Sequence, residues 1–199
     1  MLKKITILSV CAASAFALHT AEININDKDL EVGAQFDMGQ FNDTVEPNTI
    51  FVGARFLNAD ADHSEQDNAN IDPLLEANIL MMKEVGNSGF KLGMGAKLNY
   101  TQVGSLDFIS IPLGVEGSYT ISAKEFVPMH LNAAVYYAPQ VLAMKDADSY
   151  LETRISFDLE VIPNGNITLG YRNIETNYDV SNGDFRYNRS GYVGFKLKF

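Results

Sequence analysis

The amino-acid sequence predicts an all-β protein: an antiparallel up-and-down transmembrane β-barrel of ten strands. Three observations carry that expectation. Apolar and polar residues alternate with period two in segments near ten residues long, repeated along almost the whole chain. The last segment, residues 191–199, runs to the terminal carboxylate and stops on Phe199. The chain also opens on an export signal.

That signal comes first in chain order. Lys3 and Lys4 precede an apolar run from Ile5 to about Ala15, and Ala15-Phe16-Ala17 supplies an A-x-A cleavage site. Cleavage after Ala17 would leave residues 18–199 as a single barrel domain. The run falls short of the roughly 20 residues a helical span needs. Cys11 is the only cysteine, so the mature chain would have no disulfide, thiolate metal site or cysteine nucleophile.

The strands follow in order. A short one, residues 22–26, turns at Asp27-Lys28 into Leu30, Val32, Ala34, Phe36 and Met38, which share a face against Glu31, Gly33, Gln35 and Asp37. Ile50, Val52, Ala54 and Phe56 oppose Phe51, Gly53 and Arg55. Leu75, Ala77, Ile79 and Met81 oppose Glu76 and Asn78. The cleanest run sets Phe90, Leu92, Met94, Ala96, Leu98 and Tyr100 against Lys91, Gly93, Gly95, Lys97 and Asn99. A sixth strand is expected over 109–119, a seventh over 129–137, an eighth over 151–161 and a ninth from Ile167 to Tyr171. In the tenth, Val193, Phe195, Leu197 and Phe199 oppose Tyr192, Gly194, Lys196 and Lys198. Without the 22–26 strand the count is odd, whereas bacterial single-chain barrels use even numbers; eight strands is the alternative.

Turn chemistry separates the runs. Gly86-Asn87-Ser88-Gly89 and Pro163-Asn164-Gly165 make tight connections. Residues 59–72, 139–149 and 179–186 make long polar ones. Counting back from a periplasmic Phe199, the long ones fall outside and the tight ones inside, as in outer-membrane barrels. The apolar face is expected to meet lipid rather than a ligand-filled interior. Aromatics near segment ends (Phe56, Tyr100, Tyr119, Phe126, Tyr137, Tyr150, Tyr178) suit interfacial girdles. Gly33, Gly53, Gly93, Gly95, Gly114, Gly170 and Gly194 lie on the polar face, where small residues make room in a narrow lumen.

Bulk composition excludes other classes. A formal charge of −10 repels phosphate backbones, so nucleic acid is no expected partner. A mean hydropathy of −0.06 looks soluble, but averaging hides the apolar half of each barrel strand.

An A-F-A signal end, an acidic loop (Asn58-Ala59-Asp60-Ala61-Asp62), Gly170-Tyr171-Arg172 and a Gly191-Tyr192-Val193-Gly194 strand closing on Phe199 together resemble the YfaZ family of outer-membrane proteins. The architecture is also similar to small OmpA- or OmpX-type barrels. The family resemblance implies location and fold, with no established ligand or reaction. The C-terminal strand, through Val193, Phe195, Leu197 and Phe199, looks like the signal such barrels present to their insertion machinery.

On the polar face, Arg55, Lys91, Lys97, Glu116, Glu152, Arg154, Asp158, Glu160, Arg172 and Lys196 are expected to line the lumen. Pairing through the 163–165 turn would set Arg172 opposite Ser156, with Arg154 and Asp158 diagonal to it. Charges in so narrow a lumen must pair or hold water, which favours a plugged interior over an open pore. Asp60, Asp62, Glu65 and Asp67 cluster as oxygen ligands would. Yet Glu65 stands where a calcium loop of the EF-hand type needs glycine, and a solvated acidic loop is the simpler reading. The expected function is structural or surface-interacting at the bacterial outer membrane, with a narrow porin-like channel as the alternative and a surface hydrolase third. Catalysis is not expected: only His19, His63 and His130 are available as bases. No cofactor is expected. Expected partners are outer-membrane lipid, lipopolysaccharide and the insertion machinery, for a monomeric barrel.

Overall fold

The computed structural model describes residues 19–60, 71–121, 127–179 and 184–199. They form twelve strands: β1 Thr20–Ile25, β2 Leu30–Asp37, β3 Ile50–Asn58, β4 Leu74–Glu84, β5 Phe90–Val103, β6 Leu106–Ser110, β7 Leu113–Ile121, β8 Met129–Ala138, β9 Ala143–Lys145, β10 Ala147–Ile162, β11 Gly165–Tyr178 and β12 Arg186–Lys198. Ten of them close a ring in the order β1-β2-β3-β4-β5-β7-β8-β10-β11-β12, every neighbour antiparallel. β1 closes it against β12, with Thr20 opposite Lys198 and Ile25 opposite Val193. Closure leaves no open sheet edge, the condition for placing strands in hydrocarbon. Ten strands therefore hold, and the eight-stranded alternative falls.

The strand expected over 109–119 needs correction. Pro112 has no N–H to give a ladder, and the run divides into β6 and β7 around residues 111–112. β6 stays on the upper part of β5, with Asn99 opposite Ser110, but its other neighbour is β9 rather than β8. β6 and β9 are the two strands outside the ring.

The faces sort by polarity, inverted relative to a water-soluble core. Met94 is 70% exposed and Leu169 54%, while Arg172 and Glu152 are each 1% exposed. Period two does this locally: every second side chain of a strand leaves the ring, and the apolar ones do so together.

Both termini sit at one end, where the His19 and Phe199 backbones exchange hydrogen bonds of 3.0 and 2.8 Å; this is the periplasmic end in barrels of this class. The connections only partly follow the short-inside pattern. The β3–β4, β8–β10 and β11–β12 connections leave and re-enter the ring at the far end, and 85–89 and 163–164 lie at the terminal end. Three described connections depart from it. The turns 26–29 and 104–105 are short and lie at the far end; residues 38–49 are long and lie at the terminal end. That long segment is gathered by one carboxylate: Asp37 accepts the Gly39 N–H at 3.0 Å and the Asn48 N–H at 2.6 Å.

Candidate functional site: a charged lumen

Inward positions of six ring strands meet at mid-lumen. β2 brings Glu31, β3 Arg55, β4 Glu76, β5 Lys97, β10 Glu152 and Arg154, and β11 Arg172; the 26–29 turn adds Asp29. Arg55 Nη1 donates to Glu152 Oε1 at 2.6 Å, and its Nη2 bonds Glu76. Lys97 Nζ lies 2.7 Å from Glu152 Oε2 and 3.2 Å from Glu76 Oε2. Arg154 Nη2 and Arg172 Nη1 share Glu31 Oε2 at 2.6 and 3.2 Å, and Arg172 Nη2 reaches Asp29 Oδ2 at 3.1 Å. Asp29, Glu31, Glu76 and Glu152 thus balance Arg55, Lys97, Arg154 and Arg172. β3 and β10 stand five places apart in the ring, so the Arg55–Glu152 bond crosses the lumen.

Neutral groups complete the network. Asn24 Nδ2 donates to Glu31 at 2.6 Å, the Tyr150 hydroxyl to Glu152 at 3.0 Å, and Asn188 and Ser190 each to Asp29 at 2.9 Å. Tyr rings underlie the cations: Lys97 Nζ is 3.9 Å from the Tyr136 centroid, and the Arg172 guanidinium 5.2 Å from that of Tyr192. Two glycines make room for those rings. A Cβ on Gly170 would strike the Tyr192 ring, and one on Gly114 the Tyr136 ring.

Arg172 does not face Ser156. The hairpin closes on Ile162 and Gly165 around a two-residue turn, and a bulge between Glu160 and Ile162 adds one more position, so the register moves by two and Arg172 pairs with Arg154. These like charges tolerate each other because Glu31 bridges both. Asp158 instead bonds Lys196 at 2.9 Å.

Beyond this plug, toward the far end, the inward residues turn apolar. Leu57, Leu74, Phe108, Tyr150, Ile174 and Tyr187 are completely buried, with Tyr178 and Phe185 packed among them. Phe108 comes from β6, and β9 packs Ala143 against the same cluster. Tyr150 and Tyr178 therefore belong to an interior core and not to an interfacial girdle. Phe56, Tyr100, Tyr119 and Tyr137 do face outward; Phe126 lies outside the described residues. Below the plug, a cavity of about 370 Å³ reaches the terminal mouth.

The lumen residues proposed from sequence divide accordingly. Arg55, Lys97, Glu152, Arg154 and Arg172 build the plug; Lys91, Glu116, Asp158 and Lys196 line the cavity. Glu160 stands at the mouth and accepts the Asn164 N–H at 3.3 Å. Val193, Phe195, Leu197 and Phe199 point outward. Sequence reasoning missed Glu22, Asp29, Glu31 and Glu76 as lumen charges. Alternation already set Glu31 and Glu76 on the polar face; Asp29 sits in a turn, where no periodicity reports. Of the acidic loop, Asp62, Glu65 and Asp67 lie outside the described residues, and the Asp60 N–H donates to Asp29 at 3.0 Å. Among the described residues no cluster of three metal-ligating side chains occurs.

A family model described as "YfaZ precursor" matches residues 2–199. No curated protein matches the chain significantly in sequence. Among solved structures, the chain is similar to the outer membrane protease OmpT of Escherichia coli, with a TM-score of 0.50 at 12% identity over 91% of this chain and 92% of that one. It is also similar to the KdgM porin (TM-score 0.43, 8% identity, 91% and 98% covered) and to Neisserial surface protein A (0.37, 14%, 91% and 97%). At such identities these likenesses concern fold alone.

Proposed function

This chain belongs to the YfaZ family and is an outer-membrane β-barrel protein; from that premise we propose that it is a sealed, non-conducting barrel with a structural or surface-interacting role. One observation carries the reading. The lumen is blocked twice in series, by side chains buried to 7% exposure or less in the Arg55–Glu76–Lys97–Glu152 network and by the Leu57–Phe108–Tyr187 core beyond it. A hydrated ion would have to break several buried ion pairs and then cross an apolar layer, and either step costs several kcal/mol (roughly 3–5 for one buried pair). The contacts of such a barrel are with outer-membrane lipid and lipopolysaccharide along its wall, and with surface partners through 59–73, 139–146 and 179–185. Insertion uses the β12 face of Val193, Phe195, Leu197 and Phe199. No catalytic role is assigned.

Planar-bilayer recording tests this. Pure protein is expected to give no discrete conductance steps. Reproducible steps whose ion preference changes with Arg154→Glu or Glu116→Lys would replace this reading with the narrow channel.

A further inference from the structure

The charges of the cavity below the plug match in number, Glu22, Glu116 and Asp158 against Lys91, Lys196 and Lys198, but they are not all paired as those of the plug are. Each of its acids has a partner, which for Glu116 is a neutral hydroxyl. Asp158 accepts from Lys196 at 2.9 Å, Thr168 at 2.7 Å and Asn132 at 3.0 Å. Glu22 lies 3.7 Å from Arg154 and 3.8 Å from Lys196, and Glu116 accepts the Tyr136 hydroxyl at 2.6 Å. Two of the three lysines are different: the Lys91 and Lys198 side chains line the cavity and their ammonium groups form no hydrogen bond or ion pair with any described residue.

Ring order says where those two ammonium groups stand. Lys91 is the second residue of β5 and Lys198 the last of β12, both at the terminal mouth. β5 and β12 are five places apart in a ring of ten, so the two lysines approach from opposite walls. On β7, next to Lys91, the Ser118 and Thr120 hydroxyls also line the space. The β3–β4 wall is unlike the rest: Phe51 and Leu80 are register partners there, and Met82 follows on the same face. The cavity thus has an apolar side, a side of hydroxyls bonded to Asn132 and His130, and two ammonium groups without an ion-pair partner facing across its opening, with the Glu160 and Asp158 carboxylates farther off from Lys198.

We propose that this vestibule binds a small amphipathic oxyanion from the periplasm, a phosphomonoester or carboxylate carrying one compact apolar group. Charge-assisted bonds from Lys91 and Lys198 hold the head, because an ionised acceptor between two ammonium groups satisfies both. The apolar group lies on Phe51, Leu80 and Met82, where it sheds water. About 370 Å³ is at the small end of the ~300–1,000 Å³ range for ligand pockets, which suits a single ring or short chain rather than a two-chain lipid. The pocket has a blind end only if the lumen is sealed, so this inference rests on the reading above.

Phenyl phosphate is a suitable probe, titrated by calorimetry into the folded full barrel in a non-ionic detergent, with phenol and inorganic phosphate as controls. Phenyl phosphate is expected to bind at least tenfold more tightly than either control. Lys91→Gln with Lys198→Gln is expected to weaken it at least tenfold while leaving thermal unfolding nearly unchanged, since neither ammonium has a hydrogen bond or ion pair to lose. No saturable binding at millimolar probe, equal binding by the double variant, or equal binding of inorganic phosphate would each overturn the proposal. Conductance keeps the two readings apart. A barrel that conducts yet binds in a lysine-dependent way defeats the sealed lumen alone; a silent barrel that does not bind defeats this proposal alone.

Discussion

Glu152 shows what one residue does here. Its two carboxylate oxygens take Arg55, Lys97 and the Tyr150 hydroxyl while the side chain is 1% exposed. Two buried cations depend on it, so Glu152→Ala leaves charge uncompensated in a place water does not reach. Breaking a buried pair in this way costs about 3–5 kcal/mol. Urea unfolding in detergent, followed by far-UV circular dichroism, is expected to show that loss. Glu160→Ala, at the wet mouth, is expected to stay within about 0.5 kcal/mol, and equal effects at the two sites would refute the buried network. At this scale the sequence was half legible. The side on which Glu31, Arg55, Glu76, Lys97 and Glu152 lie follows from alternation alone. Their partners do not, because Arg55 and Glu152 are 97 positions apart in the chain.

An element reveals its faces through its period and its limits through its breakers. β5 presents Leu92, Met94 and Leu98 outward and Lys97 and Asn99 inward, just as alternation implied. Met94→Arg would place a guanidinium in hydrocarbon at a cost of about 2–4 kcal/mol near the midplane. Val141→Arg, in the far-end turn after β8 where the side chain is 85% exposed, is expected to cost about 0–1 kcal/mol. Refolding yields into lipid vesicles, resolved by heat-modifiable gel mobility, check the difference. Where elements end is less legible. The 109–119 run carried apolar alternation straight through Pro112, and only the missing N–H divides it. The β10–β11 hairpin slipped for a related reason. A tighter turn and a one-residue bulge together shift the register by two, which leaves every side chain's polarity sensible while moving Arg172 from Ser156 to Arg154.

For the whole molecule, the outward apolar band makes a direct prediction. The folded barrel is expected to stay monodisperse in detergent and to aggregate on its removal, as dynamic light scattering would report; a soluble, folded chain in plain buffer would reverse the assignment of its faces. Export, the all-β class and which face meets lipid were written in the sequence itself as local order, a signal's charge and apolar run and period two, whereas ring closure decided between ten strands and eight. The tertiary structure alone decided which charges meet across the lumen, that Tyr150 and Tyr178 fill an interior core, and that the Lys91 and Lys198 ammonium groups face one another without ion-pair partners. Those relations arise from ring closure and stagger, which bring strands five places apart into contact, and no local pattern in a chain encodes a distance across a ring.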